Sequence, residues 1–546
     1  MNLKFLFYFL ILASCKFNSQ VQNNKNEYTE NKKTDPWYFK DIDKDSIFGI
    51  SLTRANQLLS QKKSIGEEIV IAIIDTEIDI DHEDLKDQIW LNSKEIPGNG
   101  IDDDQNGFID DINGWNFLGN KNGENIVFSN FEITRIVREH QKKFEGLTLD
   151  QIKVVDTSSF NMYQRAKKMY DYQLQNAKRT HNYILSMETK YNNAKKALLK
   201  YFPDGSFTKD KLENVSIDTV NNNLGAHYLA IKEMIDYNVT QEEIDTQKKT
   251  YKNYFDYYLN LEYNERTILQ DADSKNILEN LYYGNSNVSG NIDQLYHGTL
   301  VSGVLAANTN NKIGINGIYD QIRIMPLCIS SNGDEHDKDI ALAIRYAVDN
   351  GAKVINMSSS KDISMYKNLV YNALQYAYEN DVLFVRSVSN DNLDLDLEKN
   401  KCYPEKNKNY DYDKIFISVG GSTDGLNKSL KAPFSSYGKN SVDIYAPSVN
   451  IKTTSINNEY TIDEGNSMAA PIVSGIAALL WGYYPNLSAV EIKDIIMKSG
   501  KDYKNSVEID QQDGTKILVP FSELSKSGRI VNAYNALLLA EKISND

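Results

Sequence analysis

The chain has 546 residues, long enough for one large domain and a second module, and 41% of them are hydrophobic, enough for a sizeable core. Its net charge of −15 is spread along the chain and argues against nucleic-acid binding. Tyrosine is unusually common at 35, which reads as compositional bias and not as function.

The N-terminus has the form of a targeting segment. Lys4 supplies a positive start, and Phe5 to Leu12 is an apolar run too short to span a bilayer. Leu12-Ala13-Ser14-Cys15 follows directly and resembles a bacterial lipobox, with cleavage before Cys15 and a lipid on its thiol. The plainer alternative is an ordinary signal peptide with a chance cysteine. The lipobox reading makes residues 1–14 the signal peptide and 15–35 a polar, flexible tether. It also makes the protein exported and lipid-anchored to the bacterial cell envelope, at the outer membrane. Of the other cysteines, Cys328 sits in the apolar stretch Ile322 to Ile329 and reads as a buried free thiol. Pairing with Cys402 is open but nothing requires it.

Residues 36–124 open the main domain. Trp37 to Leu59 reads as an arm and a first helix. Ile69 to Ile74 is a continuous apolar run of the kind buried in a parallel sheet, and Asp75 ends it. The acidic loop from Asn92 to Phe117 contains Asp102, Asp104 and Asn106 at alternate positions, then Gly107 and Asp110. Oxygen ligands around a glycine turn suit calcium, with Phe108 adding its carbonyl. The closing glutamate of an EF-hand is missing, so the loop is not one, and a solvated acidic turn is the alternative.

Residues 125–292 are expected to form a helical insertion. Tyr163, Ala166, Tyr170, Leu174, Ala177, Ile184, Met187, Tyr191, Ala194, Leu198 and Tyr201 recur mostly at three- and four-residue steps. That is one seam along a helix on the order of 60 Å. Pro203-Asp204-Gly205 should break it. Thr240-Gln241-Glu242-Glu243 should start another helix, running through Tyr258. Such an arm could cover a site or bind a protein partner, with Gly284 to Asn291 as a hinge.

Residues 293–541 complete the domain. His297-Gly298-Thr299 opens a helix-like stretch to Ala307. Gly465-Asn466-Ser467 leads into an apolar, small-residue helix, with Pro471 expected in its first turn. A serine there lies beside free backbone N–H groups that suit an oxyanion. Asp75, His297 and Ser467 are thus a carboxylate, a base and a nucleophile, the set that acyl transfer needs.

On these fragments the chain resembles the subtilisin-like serine proteases, or subtilases, from about Trp37 to Leu539 apart from the insertion. The resemblance implies an α/β fold, doubly wound on a mainly parallel sheet, with the helical insertion added. It implies a triad of Asp75, His297 and Ser467, with Asn390 and the Ser467 N–H holding the oxyanion. Substrate would lie along Ser358, Ser359 and Ser360 and along Ser387, Val388 and Ser389. Peptides or proteins are the implied partners; catalysis needs no cofactor, and calcium would be structural. Four residues depart from the family pattern: Glu77, Ser360 and Ser389 stand where glycine is usual, and Asn466 where threonine is. The departures leave open a narrowed specificity pocket or a peptide-binding pseudoprotease.

Overall fold

The computed structural model describes residues 35–62, 66–215, 223–237, 239–269, 271, 283–511 and 513–545. Cys15, the signal peptide and all but the last residue of the expected tether lie outside them. The chain divides into two compact units, Met1–Val127 with Arg266–Asp546, and Phe128–Glu265.

In chain order the main elements are α1 (Leu52–Leu59), β1 (Ile69–Asp75), β2 (Trp115–Asn116), α2 (Glu132–Phe144), α3 (Thr157–Leu198), α4 (Asn223–Asp236), α5 (Gln241–Asn253) and α6 (Tyr296–Ala306). There follow β3 (Ile322–Cys328), α7 (Asp337–Asp349), β4 (Val354–Met357), α8 (Lys367–Glu379), β5 (Leu383–Ser387), β6 (Phe416–Ser422) and β7 (Ile444–Pro447). The chain closes with β8 (Ile451–Ser455), β9 (Glu459–Asp463), α9 (Asn466–Tyr483), α10 (Ala489–Ser499), β10 (Lys501–Asp502), β11 (Ser506–Asp510), β12 (Lys516–Pro520), β13 (Arg529–Ile530) and α11 (Ala533–Asn545).

The larger unit is an α/β structure around a nine-stranded sheet, in the order β10-β13-β7-β6-β5-β4-β1-β3-β2. Every neighbouring pair is parallel except β10 with β13. β1 is apolar throughout up to Asp75 and almost wholly buried, as a strand covered on both faces must be. Its neighbours are β3 on one side and β4 on the other, so the strand order reverses at β1. The crevice beyond the carboxyl ends of strands at such a reversal is where open α/β sheets place their sites. Asp75 ends β1, Ser358 follows β4, and Ser387 ends β5, so all three sit at that crevice. α6 and α9 pack on each other and on the sheet, and their buried Ala, Val, Ile and Leu side chains join the main core. Both remaining cysteines are buried free thiols. Among the described residues no helix is long and apolar enough to cross a membrane.

The expected insertion of 125–292 is too long at its C-terminal end. The helical unit stops at Glu265, and the segment after it belongs with the sheet. Arg266 pairs with Asp339 of α7 at 2.8 Å, Asn285 exchanges backbone hydrogen bonds with Asn116 at 2.9 and 3.1 Å, and Ile78 N–H donates to the Val288 carbonyl at 3.0 Å. These bonds tie down the stretch expected to be a hinge.

Within the helical unit, α3 runs for 42 residues, roughly 63 Å at 1.5 Å per residue. Tyr163, Ala166, Tyr170, Ala177, Ile184, Ala194 and Leu198 of the expected seam are buried. Tyr201 is 40% exposed because the helix ends three residues earlier, ahead of Pro203. Thr240 caps α5 by accepting the Glu243 N–H at 3.1 Å, and the helix passes into a wider π turn at Tyr254–Tyr258. Many tyrosines find their use here: Tyr257 stacks on Phe128 with centroids 4.3 Å apart, and Tyr258 on Phe131 at 5.0 Å. Arg135 is fully buried and is neutralised by Glu132 at 2.7 Å and Glu265 at 3.4 Å.

Candidate active site

β1 delivers Asp75 to the crevice, and His297, the second residue of α6, meets it there. The His297 Nδ1–H donates to Asp75 Oδ1 at 2.7 Å, and the Thr76 N–H donates to the same oxygen at 2.7 Å. The other oxygen, Oδ2, is buried with no hydrogen-bond partner among the described residues. Burial pulls the imidazole pKa down, but the Asp75 carboxylate, helped by Asp463 and Glu335, holds it above the ordinary histidine value. Gly298 makes this approach possible. A Cβ there would lie 2.7 Å from the Glu77 carbonyl oxygen and 2.9 Å from that of Thr76, so any side chain would push α6 off β1. His82, beside this strand end in sequence, is a structural residue: fully buried, its Nδ1 accepts from the Asp84 N–H and its Nε2 faces the Glu459 carbonyl.

Ser467 is the second residue of α9, where backbone N–H groups have no intrahelical acceptor. Pro471 is sixth, in the second turn, which corrects the expected first-turn position. A proline there removes the N–H that would bond to the Ser467 carbonyl. The Ser358 hydroxyl takes its place, donating to that carbonyl at 3.0 Å, and the Ser467 hydroxyl donates back to the Ser358 carbonyl at 3.0 Å. Asn466 knits the next strand exit to the same helix start. Its backbone N–H donates to Asn390 Oδ1 at 2.9 Å, and its side-chain Nδ2 donates to the Ser389 carbonyl at 2.9 Å. With Oδ1 held inward, the Asn390 Nδ2 is turned to the cleft. A Cβ built on Gly465 would lie 3.5 Å from that Nδ2 and 3.9 Å from the Ser467 N, so both donors border one space. Gly465 has φ of +146°, a conformation that suits glycine alone.

Three of the four departures, Glu77, Ser389 and Asn466, have structural employment, and nothing in the structure explains Ser360. Glu77 is 3% exposed and receives the Asn125 Nδ2 at 2.6 Å, the Asn116 Nδ2 at 3.2 Å and the Asn291 N–H at 2.7 Å. Burial pushes its carboxyl above the usual range, and those donors partly offset the effect. The side chain therefore anchors the segment that leads back to His297. Ser389 shares a hydrogen bond with Ser436 at 2.9 Å. Of the expected substrate contacts, Ser359, Ser360 and Ser389 are partly exposed, while the hydroxyl of Ser358 is spent on α9. Ser387 is 3% exposed, and the Val388 side chain lies in an apolar cluster with Leu395 and Cys402.

The acidic loop brings two of the expected ligands, Asp102 and Asp104, together with a third carboxylate. Carboxylate oxygens of Glu95, Asp102 and Asp104 converge within 4.8 Å of one another. Asp110 instead caps the Asn99-Gly100 turn, accepting both N–H groups at 3.1 and 2.9 Å. Asn106 spends its side-chain oxygen on the Phe108 N–H at 2.8 Å. The Phe108 ring packs edge-on against Trp115 and Tyr346. Glu95 lies outside the alternating acidic pattern, so sequence reading had no signal for it. Asp463, which the imidazole of His297 feels, was equally silent in the sequence.

A doubly wound sheet with an Asp–His pair, a serine at a helix start and an asparagine amide beside it defines a class, and comparison with known families agrees. The subtilase family model matches residues 66–515, and the chain belongs to that family. It is 34% identical over 242 residues to a thermophilic serine proteinase of Bacillus sp. strain AK1, an alignment covering 44% of this chain and 52% of that protein. It is 31% identical over 227 residues to subtilisin DY of Bacillus licheniformis, covering 41% of this chain and 78% of that one. A solved protease of Pseudoalteromonas arctica is 26% identical over 45% of this chain and 70% of its own, with a TM-score of 0.36. The chain thus spans about half the length of the thermophilic proteinase it matches.

Proposed function

We propose that the protein is a serine endopeptidase acting through Asp75, His297 and Ser467, with peptides or proteins as substrates. The observation that carries this is the 2.7 Å bond from His297 Nδ1–H to Asp75. It fixes the tautomer whose Nε2 is a free base, and Nε2 makes no hydrogen bond among the described residues. Rotation about the Cα–Cβ bond of Ser467 releases its hydroxyl from the Ser358 carbonyl and turns it toward that base. Ser467 Oγ then attacks the scissile carbonyl while His297 takes its proton. Asn390 Nδ2 and the Ser467 N–H receive the oxyanion. His297 protonates the leaving amine, an acyl-enzyme remains, and water releases it by the same steps. The charge on His297 during attack is balanced by Asp75. No step needs a cofactor.

A serine-directed fluorophosphonate should label the wild type and not Ser467→Ala, and hydrolysis should vanish with it. Labelling of both proteins, or of neither, would end this reading.

A calcium ion held by Glu95, Asp102 and Asp104 would stabilise the acidic loop. Three clustered carboxylates repel one another; backbone N–H groups of Asp103, Asp104, Asn106, Gly107 and Asp110 offset part of this, Lys94, at 4.0 Å from Asp104 and largely exposed, adds little, and a cation would offset more. The lipobox-like Leu12 to Cys15 supports export and lipid anchoring through Cys15.

A further inference from the structure

The two segments bordering the cleft, 358–360 after β4 and 387–389 after β5, meet at their base on a group the mechanism does not use. Arg386 is 3% exposed. Its neighbour Val385 lies opposite Asn356, whose side chain accepts from Ser474 of α9, so strand alternation sends Arg386 to the sheet face away from α9. There its Nη1 donates to the Ser387 carbonyl at 3.2 Å and lies 3.1 Å from Cys402 Sγ. The next residue, Tyr403, exchanges backbone hydrogen bonds with Lys361 at 3.0 and 2.8 Å. Lys361 directly follows the first segment. Arg386 and Cys402 therefore lie beneath the two strand exits, joined to the second through the Ser387 carbonyl and to the first through Tyr403 and Lys361.

A guanidinium cannot shed its proton, and a buried one is normally paired. Arg135 and Arg266, the other buried arginines among the described residues, each have two carboxylates. Arg386 has no carboxylate at ion-pair distance among the described residues, and its Nε is buried without a hydrogen-bond partner. The ring of Phe416, 5.7 Å away, is its only cation–π partner among them. Glu405, which shares the neighbourhood of Tyr412 with Arg386, is taken by the Tyr371 hydroxyl at 2.9 Å and by Lys401 at 3.3 Å. In the opposite segment, the buried hydroxyl of Ser359 also lacks a hydrogen-bond partner among the described residues.

Building on the endopeptidase reading, we propose that Arg386 is the specificity-determining residue of this pocket and that the substrate brings its missing anion. The residue on the acyl side of the scissile bond is then Asp or Glu. Its carboxylate reaches down between 358–360 and 387–389 to the guanidinium, with Ser359 as a second donor. Gln, of nearly equal size, leaves the charge unmatched and is rejected.

The test uses fluorogenic peptides identical except for Glu, Asp, Gln, Leu or Lys before the cut. The wild type should favour Glu or Asp over Gln by about 10- to 100-fold in kcat/KM, the worth of a charge-assisted hydrogen bond. Arg386→Gln should shrink that gap to within about threefold, and Arg386→Lys should keep part of it. Thermal melts establish that each variant is folded; should Arg386→Gln not fold, the wild-type profile and Arg386→Lys decide. Equal rates on Glu and Gln peptides by a wild type that labels with fluorophosphonate would overturn this proposal and leave the endopeptidase reading standing. Calorimetric binding of the same uncleaved peptides to Ser467→Ala tests the pocket without turnover. A Glu-over-Gln gap there supports Arg386 even if hydrolysis is never seen, and no gap refutes it.

Discussion

Asp75→Asn separates the charge of the triad carboxylate from its geometry. Asp75 Oδ1 accepts both the His297 Nδ1–H and the Thr76 N–H, each at 2.7 Å. An amide at this position must therefore keep its oxygen there, because its NH2 group would face two donors. The NH2 falls where Oδ2 lies, buried and without a partner. Orphaning it costs about 1–3 kcal/mol of stability. The histidine tautomer survives, and what is lost is the attraction between the carboxylate and the imidazolium formed during attack. At a charge separation of about 4 Å and an effective dielectric near 20, that is roughly 4 kcal/mol, or about 10³-fold in kcat. A variant that also lost the tautomer would fall further, to about 10⁴-fold. The pH profile supplies a second readout with a definite sign. In the wild type the carboxylate raises the His297 pKa, so activity should fall with acid at a pH above that of an ordinary histidine. In Asp75→Asn the main raising influence is gone while burial still lowers the pKa, so the acid limb should move to lower pH. The raised pKa also makes the protonated pair a source of stability, present in full below the unfolded histidine pKa and lost as pH climbs through the folded one. That contribution should be missing in the variant. Steady-state kinetics from pH 5 to 9 on folded protein decide the matter. A rate within tenfold of wild type, or an acid limb that stays put or moves to higher pH, would refute the reasoning.

Asn390→Ala should lower kcat by about 10²–10³-fold with little change in KM, the magnitude known for the corresponding donor of subtilisin; an equal rise in KM would mean that Asn390 binds the ground state instead. Calcium should raise the melting temperature and chelator should lower it, with Glu95→Gln blunting both, whereas a melting temperature indifferent to calcium would remove the ion from the Glu95, Asp102 and Asp104 cluster. Cys15→Ser should abolish lipid labelling and release the protein from the membrane fraction, and a wild type found wholly in the soluble fraction would exclude the anchor.

Local chemistry made much of this protein legible before folding. The apolar run from Ile69 to Ile74 announces a strand buried on both faces, because only such a strand has no polar side. The heptad-like steps from Tyr163 to Leu198 announce a long helix with one buried seam, and Gly465 marks the turn before the serine. Asp75, His297 and Ser467 could be named because each sits at an element end that local patterning reveals, and Asn390 through the family resemblance. What the patterning misses is whatever depends on partners remote in sequence. It assigned the segment after Glu265 to the insertion, since the bonds of Asn285, Val288 and Arg266 reach residues far from it along the chain. Glu77 and Asn466 stand out in the sequence only as departures from a family pattern, and the fold adds that their buried hydrogen bonds hold the return to His297 and the Asn390 loop. Glu95 joins Asp102 and Asp104 only because the loop folds back, and Arg386 stands out only because no carboxylate among the described residues lies at ion-pair distance from it. Helix and strand periodicities are written residue by residue, but the pairing of buried polar and charged groups is settled by three-dimensional packing, where each must find a partner or wait for one from outside.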